Sequence, residues 1–267
     1  MTWHFRNDGV LRSCCLLAAI GLLAFRPQAS TSAASARIWL GHEAAMESHL
    51  RTASVDSLEA IGTGVTRPRR AHLSPATPFA SLVWKPLPPG KRSGHWESYK
   101  SEIAAYELDK QLELRMIPPA VERQIGRDTG AAIMWLEGIR SVKQLGGKVP
   151  SGPAWDKPIR RMLTFDNLIG NPDRNAGNIL VGPPGELILI DHSRAFTTSR
   201  DLVRKIERVD GDLWDRITSI APADLSSTLQ PWMDSDAVSA VLWRRERMIA
   251  DVDTLVKKNG AAHVIIR

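Results

Sequence analysis

Apolar positions in the first half of the chain predict a mixture of helices and short strands. Residues 37–60 are predicted as a helical lead-in, and residues 81–85 (SLVWK) as a short strand that ends at a proline. Residues 86–95 are rich in Pro, Gly and basic side chains and predict a loop. Over residues 97–114 apolar side chains recur at i, i+3 and i+7, which predicts an amphipathic helix.

The second half predicts one more strand, a hairpin and then mostly helices. Residues 131–136 form an apolar strand pattern, and residues 154–170 a helical one. Residues 178–181 and 186–190 are two apolar strands joined by Gly-Pro-Pro-Gly, a hairpin signal. From residue 201 onward the pattern is helical. We therefore predict an α+β fold with a small β-rich N-terminal lobe and a larger helical C-terminal lobe.

The N-terminus has the pattern of a secretory signal peptide, predicted over residues 1–36. Basic residues precede an apolar run of 13 residues, Ser13–Phe25, and Ala34-Ser35-Ala36 supplies the small-residue cleavage site. The protein is accordingly expected to be secreted or periplasmic. An uncleaved segment would anchor it to a membrane, and a misassigned start would leave it in the cytoplasm.

The composition excludes several classes of protein but does not identify a binding partner. The 267 residues are 43% hydrophobic and 24% charged, which excludes a disordered chain, a coiled coil and a multi-span membrane protein. The net charge of +6 suits an anionic partner such as a nucleotide, a nucleic acid or a lipid headgroup. Both cysteines lie in the apolar run, so the chain from Arg37 onward contains neither a disulfide nor a cysteine-ligated zinc.

The segment Phe165–Phe196 (FDNLIGNPDRNAGNILVGPPGELILIDHSRAF) concentrates the candidate chemistry. Asp173 and Asn178 are five residues apart on a polar loop, the spacing of the protein-kinase catalytic loop. Asp191 ends the second hairpin strand, and the hairpin returns it toward that loop. Such oxygen ligands suit Mg²⁺ or Mn²⁺. Phosphoryl transfer needs the same set, although Asp and Asn on a loop are also common turn residues.

The N-terminal half contains candidates for the remaining parts of a nucleotide site. Lys85 and Val83 share one face of a strand, so Lys85 could reach phosphates while Val83 lines an adenine pocket. Glu102, at the edge of the apolar helical stripe, could pair with Lys85. Gly62 and Gly64 could cover phosphates, although two glycines also suit a plain turn.

Three segments resemble a known family: VWKPL at 83–87, SEIAAYELDKQLELRMIPPAV at 101–121, and GNPDRNAGN…LILIDHSRAF at 170–196. They are similar to the atypical kinases of the secretory pathway, the Golgi casein kinase and four-jointed group. This group is related to phosphatidylinositol kinases and HipA-like kinases. The resemblance implies a bilobal protein-kinase-like fold, with an N-lobe over 37–137 and a C-lobe over 138–267.

The resemblance also implies a role for each candidate residue. Lys85 would be the phosphate lysine, Glu102 its ion-pair partner and Asp173 the catalytic aspartate. Asn178 and Asp191 would be the metal ligands. The hinge against adenine would be Ile133–Glu137, which includes Leu136. Many relatives have His where this chain has Asn175, which argues against a lipid as the acceptor.

These observations predict an ATP-dependent kinase that uses Mg²⁺ or Mn²⁺ and a hydroxyl acceptor, most simply a protein Ser/Thr or a sugar. The alternative is a pseudokinase that binds nucleotide and acts as a partner or activator. A nucleic-acid partner is not expected, because the basic clusters are short and separated. Acyl transfer and zinc hydrolysis are not expected, since the chain lacks G-x-S-x-G and H-E-x-x-H.

Overall fold

A computed structural model describes residues 35–62, 68–183 and 185–267. In this part of the chain the helices are α1 Glu43–Thr52, α2 Tyr99–Leu112, α3 Pro153–Ile169, α4 Gly211–Ser219, α5 Pro222–Leu229, α6 Ser235–Asn259 and α7 Ala261–Val264. The strands are β1 Ser54–Ala60, β2 Arg69–Ser74, β3 Ser81–Lys85, β4 Gly90–Arg92, β5 His95–Glu97, β6 Ala120–Ile125, β7 Asp128–Met134, β8 Arg140–Ser141, β9 Ile179–Gly182, β10 Glu186–Leu189, β11 Val209–Asp210 and β12 Ile265–Ile266.

The N-terminal part is built on a five-stranded antiparallel sheet with the order β1-β2-β3-β7-β6. Strand β3 is central, and its register with β7 places Val83 opposite Ile133 and Lys85 opposite Ala131. Leu82 and Trp84 point to the other face and are fully buried in an apolar cluster. Because side chains alternate along a strand, this burial turns Val83 and Lys85 toward the opposite side.

The predicted helical lead-in over 37–60 is wrong in its second half. Helix α1 ends at Thr52, and residues 54–60 form strand β1 along β2. The segment SVDSLEA does not alternate regularly, and it forms a strand because β2 supplies a partner, with a register shift between Val55 and Ser57. The predicted loop over 86–95 is followed by no helix until Tyr99, because residues 90–97 form the short hairpin β4–β5. Strands β2 and β6 were not predicted.

Helix α2 lies close to its predicted position and connects the sheet to the helical part. Ser98 caps its N-terminus by accepting a hydrogen bond from the Lys100 amide at 3.0 Å. Its C-terminus is closed by Glu113 in the left-handed conformation, with φ 46°. Buried residues occur on most faces of the helix, so it packs within the core rather than on the surface.

The C-terminal part confirms the predicted hairpin and the helix predicted over 154–170. The pattern predicted as helical from residue 201 onward is helical from Gly211, with the short paired strands β11 and β12 at its two ends. Strands β9 and β10 pair antiparallel, with Glu186 opposite Gly182 and Leu189 opposite Ile179. Helix α3 spans Pro153–Ile169, and the long helix α6 packs against it. The described chain from residue 35 forms one compact unit. Among the described helices, none is both long enough and apolar enough to cross a bilayer.

Candidate active site

Lys85, Glu102 and Asp191 meet although they lie far apart in sequence. The Nζ atom of Lys85, at the end of β3, is 2.7 Å from Oε1 of Glu102 and 2.9 Å from Oδ1 of Asp191. Only 6% of Lys85 is exposed. Burial alone would lower the pKa of this ammonium, but the two carboxylates raise it above its ordinary value. Lys85 is therefore a fixed cation with two of its three N–H donors in use.

Glu102 lies in the first turn of α2, where its two oxygens serve different partners. Oε1 accepts from Lys85, and Oε2 accepts from the backbone amide of His192 at 2.9 Å. Burial would raise the pKa of this carboxyl, yet Lys85 and His192 hold it well below its ordinary value. Glu102 is thus an anion that joins β3 to the segment after β10.

Asp191 follows β10 and has a left-handed backbone, with φ 59°. Its Oδ1 accepts from Lys85 and from Ser193 Oγ at 3.1 Å. Within the described residues no hydrogen bond reaches Oδ2, and 31% of the side chain is exposed. An aspartate tolerates this conformation better than most residues, and such outliers concentrate at functional sites.

Asp173 and Asn178 lie on the loop between α3 and β9. The Asn178 amide nitrogen donates to the backbone carbonyl of Asp173 at 2.9 Å, which spans the loop and leaves the amide oxygen Oδ1 as an acceptor. The Asp173 amide donates to Asn171 Oδ1 at 3.1 Å. The Asp173 carboxylate is itself half-buried. The backbone amide of Ile190 donates to the Asn178 carbonyl at 3.2 Å, so this loop is adjacent to the approach to Asp191.

A buried ion pair that the sequence analysis missed supports the loop. Arg174 binds Asp166 of α3, with Nε 3.0 Å from Oδ2 and Nη2 2.9 Å from Oδ1. Its Nη1 donates to the carbonyls of Asn178 and Ile190, each at 2.9 Å. Arg174 therefore holds the start of β9 and the end of β10 against α3.

His192 completes the buried network. Its Nε2 is 2.9 Å from Arg174 Nη2, and since a guanidinium only donates, Nε2 must accept. The ring proton is then on Nδ1, 3.6 Å from Glu102 Oε2. Burial lowers the pKa of His192, so the ring is neutral. The available sequence signal for His192 was its position directly after Asp191.

The remaining predicted residues are not all brought together. Val83 is half-buried and packs against the larger apolar core, whereas Leu136 packs against the cluster under the N-terminal sheet. Gly62 is exposed, and a Cβ atom there would have nothing within 4 Å. Gly64 lies outside the described residues. Of the predicted nucleotide-pocket residues that the structure describes, Val83 is the one that shares a strand face with Lys85.

The oxygen donors fit a divalent cation that is completed by a nucleotide. The described residues contain no group of three or more His, Cys, Asp or Glu side chains arranged to hold a metal. Asn178 Oδ1 and Asp191 Oδ2 remain available as an amide and a carboxylate ligand. Mg²⁺ is typically bound through one or two carboxylates together with substrate phosphates. This donor pair therefore suits a metal–nucleotide complex rather than a metal held by the protein alone.

The β-rich N-terminal part, the helical C-terminal part and the lysine between two carboxylates define a bilobal kinase-like fold. Two solved structures are similar. A hydra Fam20 with sugar has a TM-score of 0.63 at 18% identity, covering 82% of this chain and 90% of that chain. The Golgi casein kinase with Mn/ADP bound has a TM-score of 0.67 at 15% identity, covering 84% and 78%.

The fold is therefore that of the atypical secretory-pathway kinases, as the sequence resemblance indicated. No protein-family model matches the chain, and no curated protein matches it. The similarity to these two structures is therefore one of fold, and a fold alone does not assign a function.

Proposed function

We propose that the protein is an ATP-dependent phosphotransferase that moves the γ-phosphate of ATP to a hydroxyl group. The observation that carries the proposal is Lys85, which is buried and within hydrogen-bond distance of both Glu102 and Asp191. A buried cation held between two carboxylates from distant segments is the phosphate-binding arrangement of kinases. The kinase-like fold supports the same reaction class.

Each residue has a separate task in this proposal. The third N–H of Lys85 binds a phosphate oxygen while Glu102 holds the side chain in place. Asp173 orients the acceptor hydroxyl and accepts its proton while the hydroxyl oxygen bonds to the γ-phosphorus and ADP leaves. Asn178 and Asp191 would hold Mg²⁺ or Mn²⁺, which would neutralise charge on the phosphates. Catalysis then arises from positioning and electrostatics.

The nucleotide base is proposed to lie against Val83 and the hinge over residues 133–137, with Leu136 included. Residues 62–64 are proposed to cover the phosphates. Val83 supports this assignment because it shares a strand face with Lys85 and is only half-buried. We keep the lobe boundary proposed from the sequence, with 37–137 as the N-lobe and 138–267 as the C-lobe.

The acceptor is proposed to be a protein Ser/Thr or a sugar. One similar structure holds a sugar, and the other is a casein kinase with a nucleotide and manganese. We further propose export through the N-terminal segment 1–36, whose charge and apolar pattern supports a cleaved signal. The chain would then act in a compartment with its own nucleotide supply.

Labelled ATP tests the proposal directly. The purified protein is incubated with γ-labelled ATP and Mn²⁺, alone, with casein, and with a panel of oligosaccharides that carry free hydroxyl groups. We expect transfer to at least one acceptor or to the protein itself, and loss of transfer on addition of EDTA. Nucleotide binding without transfer to any of these would instead indicate the pseudokinase. Absence of both nucleotide binding and transfer would contradict the kinase-like assignment.

A further inference from the structure

Arg194 joins the loop that carries Asp173 to a buried carboxylate in the N-terminal part. Its Nε and Nη2 atoms each lie 2.9 Å from Oε1 of Glu97, the last residue of β5. Only 3% of the Glu97 side chain is exposed. The remaining nitrogen, Nη1, is 3.6 Å from Oδ2 of Asp173, an ion pair rather than a hydrogen bond.

The anchor of Arg194 is rigid because its neighbours are bonded to the start of α2. The Ser98 amide donates to the carbonyl of Ser193 at 2.9 Å. Ser101 Oγ donates to the carbonyl of Ala195 at 3.3 Å. With the bond from His192 to Glu102, the segment 192–195 is bonded to the segment 97–102 residue by residue. The guanidinium is therefore held from both its backbone and its side chain.

The Asp173 carboxylate has little else to fix it. Within the described residues its only other side-chain contact is Asn175 Nδ2, 3.4 Å from Oδ1, and Asn175 is exposed. A rigid guanidinium beside a loosely held carboxylate restricts the directions in which that carboxylate can point. Arginine suits this task because its planar fork can face two carboxylates at once, whereas lysine offers a single point of charge.

We infer that Arg194 is a positioning residue, which uses Glu97 as its anchor to hold the Asp173 carboxylate in the orientation required for phosphoryl transfer. This inference rests on the proposed function, since it assigns Asp173 a catalytic role. It also makes the orientation of the catalytic loop depend on the start of α2, the helix that carries Glu102. The Lys85–Glu102 ion pair and the orientation of Asp173 would thus both depend on the contact between segments 97–102 and 192–195.

The test compares Arg194→Ala, Arg194→Lys and the double variant Glu97→Gln/Arg194→Gln. The double variant removes both charges together and so avoids leaving a buried carboxylate unpaired. We expect kcat to fall on the order of 100-fold in all three, while KM for ATP and the thermal shift by Mn²⁺-ATP stay close to wild type. Arg247→Ala, which removes an exposed arginine paired with Asp251 on α6, serves as the control and should leave kcat unchanged.

Two further readouts separate positioning from a general structural role. Added guanidinium should restore part of the kcat of Arg194→Ala, and Arg194→Lys should remain impaired because one ammonium cannot face both carboxylates. A wild-type kcat in Arg194→Ala would overturn the inference. Full activity in Arg194→Lys would also overturn it, because charge alone would then suffice.

Hydrogen exchange decides the inference independently of turnover. Amide exchange over residues 171–178 should speed up in Arg194→Ala and in the double variant, while exchange in α6 stays unchanged. If the wild-type protein transfers no phosphate, the proposed function fails, and faster exchange would still establish Arg194 as the residue that holds this loop. Unchanged exchange over 171–178 would reject the positioning role in either case.

Discussion

Lys85 and Asp191 are 106 residues apart in sequence, and their Nζ and Oδ1 atoms lie 2.9 Å apart in space. The contact links the central strand of the N-terminal sheet to the second residue after β10. Because Asp191 uses one oxygen for Lys85 and is one-third exposed, its second oxygen can serve a ligand. The first prediction therefore tests whether this second oxygen binds the metal of a metal–nucleotide complex.

Asp191→Ala should abolish metal-dependent nucleotide binding while the protein stays folded. At a ligand concentration of 100 times Kd, a wild-type protein gains about 2.7 kcal/mol, which appears as a clear rise in Tm. The variant should show no rise with Mn²⁺-ATP in a thermal-shift titration. Asp236→Ala, on the exposed first turn of α6, is the matched control and should shift as the wild type does. An unchanged shift in Asp191→Ala would remove the metal role from this residue.

Asp173→Ala should separate nucleotide binding from turnover. The side chain does not contact Lys85 or Asp191 within hydrogen-bond distance in the described structure, so the thermal shift by Mn²⁺-ATP should persist. Transfer of labelled phosphate should fall by about 10²–10⁴-fold, the usual contribution of a positioned general base. A variant that retains transfer at the wild-type rate would reject Asp173 as the orienting acid.

The sequence predicted the elements that carry strong local patterns. Strand β3 and the hairpin β9–β10 were found because each is a short apolar run bounded by proline or glycine. Strand β2, RRAHLS, escaped prediction because three of its six residues are basic and it becomes a strand only through its partners β1 and β3. This pairing depends on contacts with other strands, so the residues of β2 alone do not predict it.

The residues of the candidate site divide in the same way, into those that lie in strong local patterns and those whose partners only the fold reveals. Lys85, Glu102 and Asp191 were recognisable because each lies at or near the end of a strongly patterned element. The Arg174–Asp166 pair and the Arg194–Glu97 pair were not, because charged residues in a polar stretch look alike whether they are solvated or buried. Only the fold shows that Asp166 is fully buried and that Arg174 is its partner.

Gly130→Ala should displace the Lys85 side chain by pushing on the backbone of Lys85 and Pro86. A Cβ atom at Gly130, in β7, would collide with the Lys85 carbonyl oxygen and lie 2.7 Å from the Pro86 Cα atom. Backbone atoms cannot yield as a flexible side chain does, so β3 must move away from β7. We expect a stability loss of about 1–3 kcal/mol in urea unfolding, with weaker Mn²⁺-ATP binding.

The matched control for this change is Gly90→Ala. At Gly90 the nearest atoms to a new Cβ belong to the flexible side chain of Arg92, at 3.7 Å, and the substitution should be tolerated. Equal stability of the two variants would show that the close approach of β3 and β7 relaxes at no cost.

Asp109 predicts how stability depends on pH. This residue of α2 is 3% exposed, and its Oδ1 accepts from the amides of Met116 and Ile117 at 2.8 and 3.0 Å. Burial raises the pKa of its carboxyl to about 7, although those amides act in the opposite direction. The folded protein therefore keeps a proton that the unfolded chain releases near its ordinary pKa of 3.8.

The contribution of Asp109 to the free energy of unfolding should accordingly fall as the pH rises from about 4 to 7. The reason is that the folded state binds more protons than the unfolded state across that window. Asp109→Asn carries no titrating group and resembles the protonated acid. Relative to wild type, the variant should therefore become more stable by a few kcal/mol between pH 4 and pH 8. Urea unfolding of both proteins at closely spaced pH values measures the difference. The contrary result is a difference in unfolding free energy between the two proteins that does not change with pH, or that shrinks as the pH rises. Either would show that the amides of Met116 and Ile117 keep Asp109 ionised.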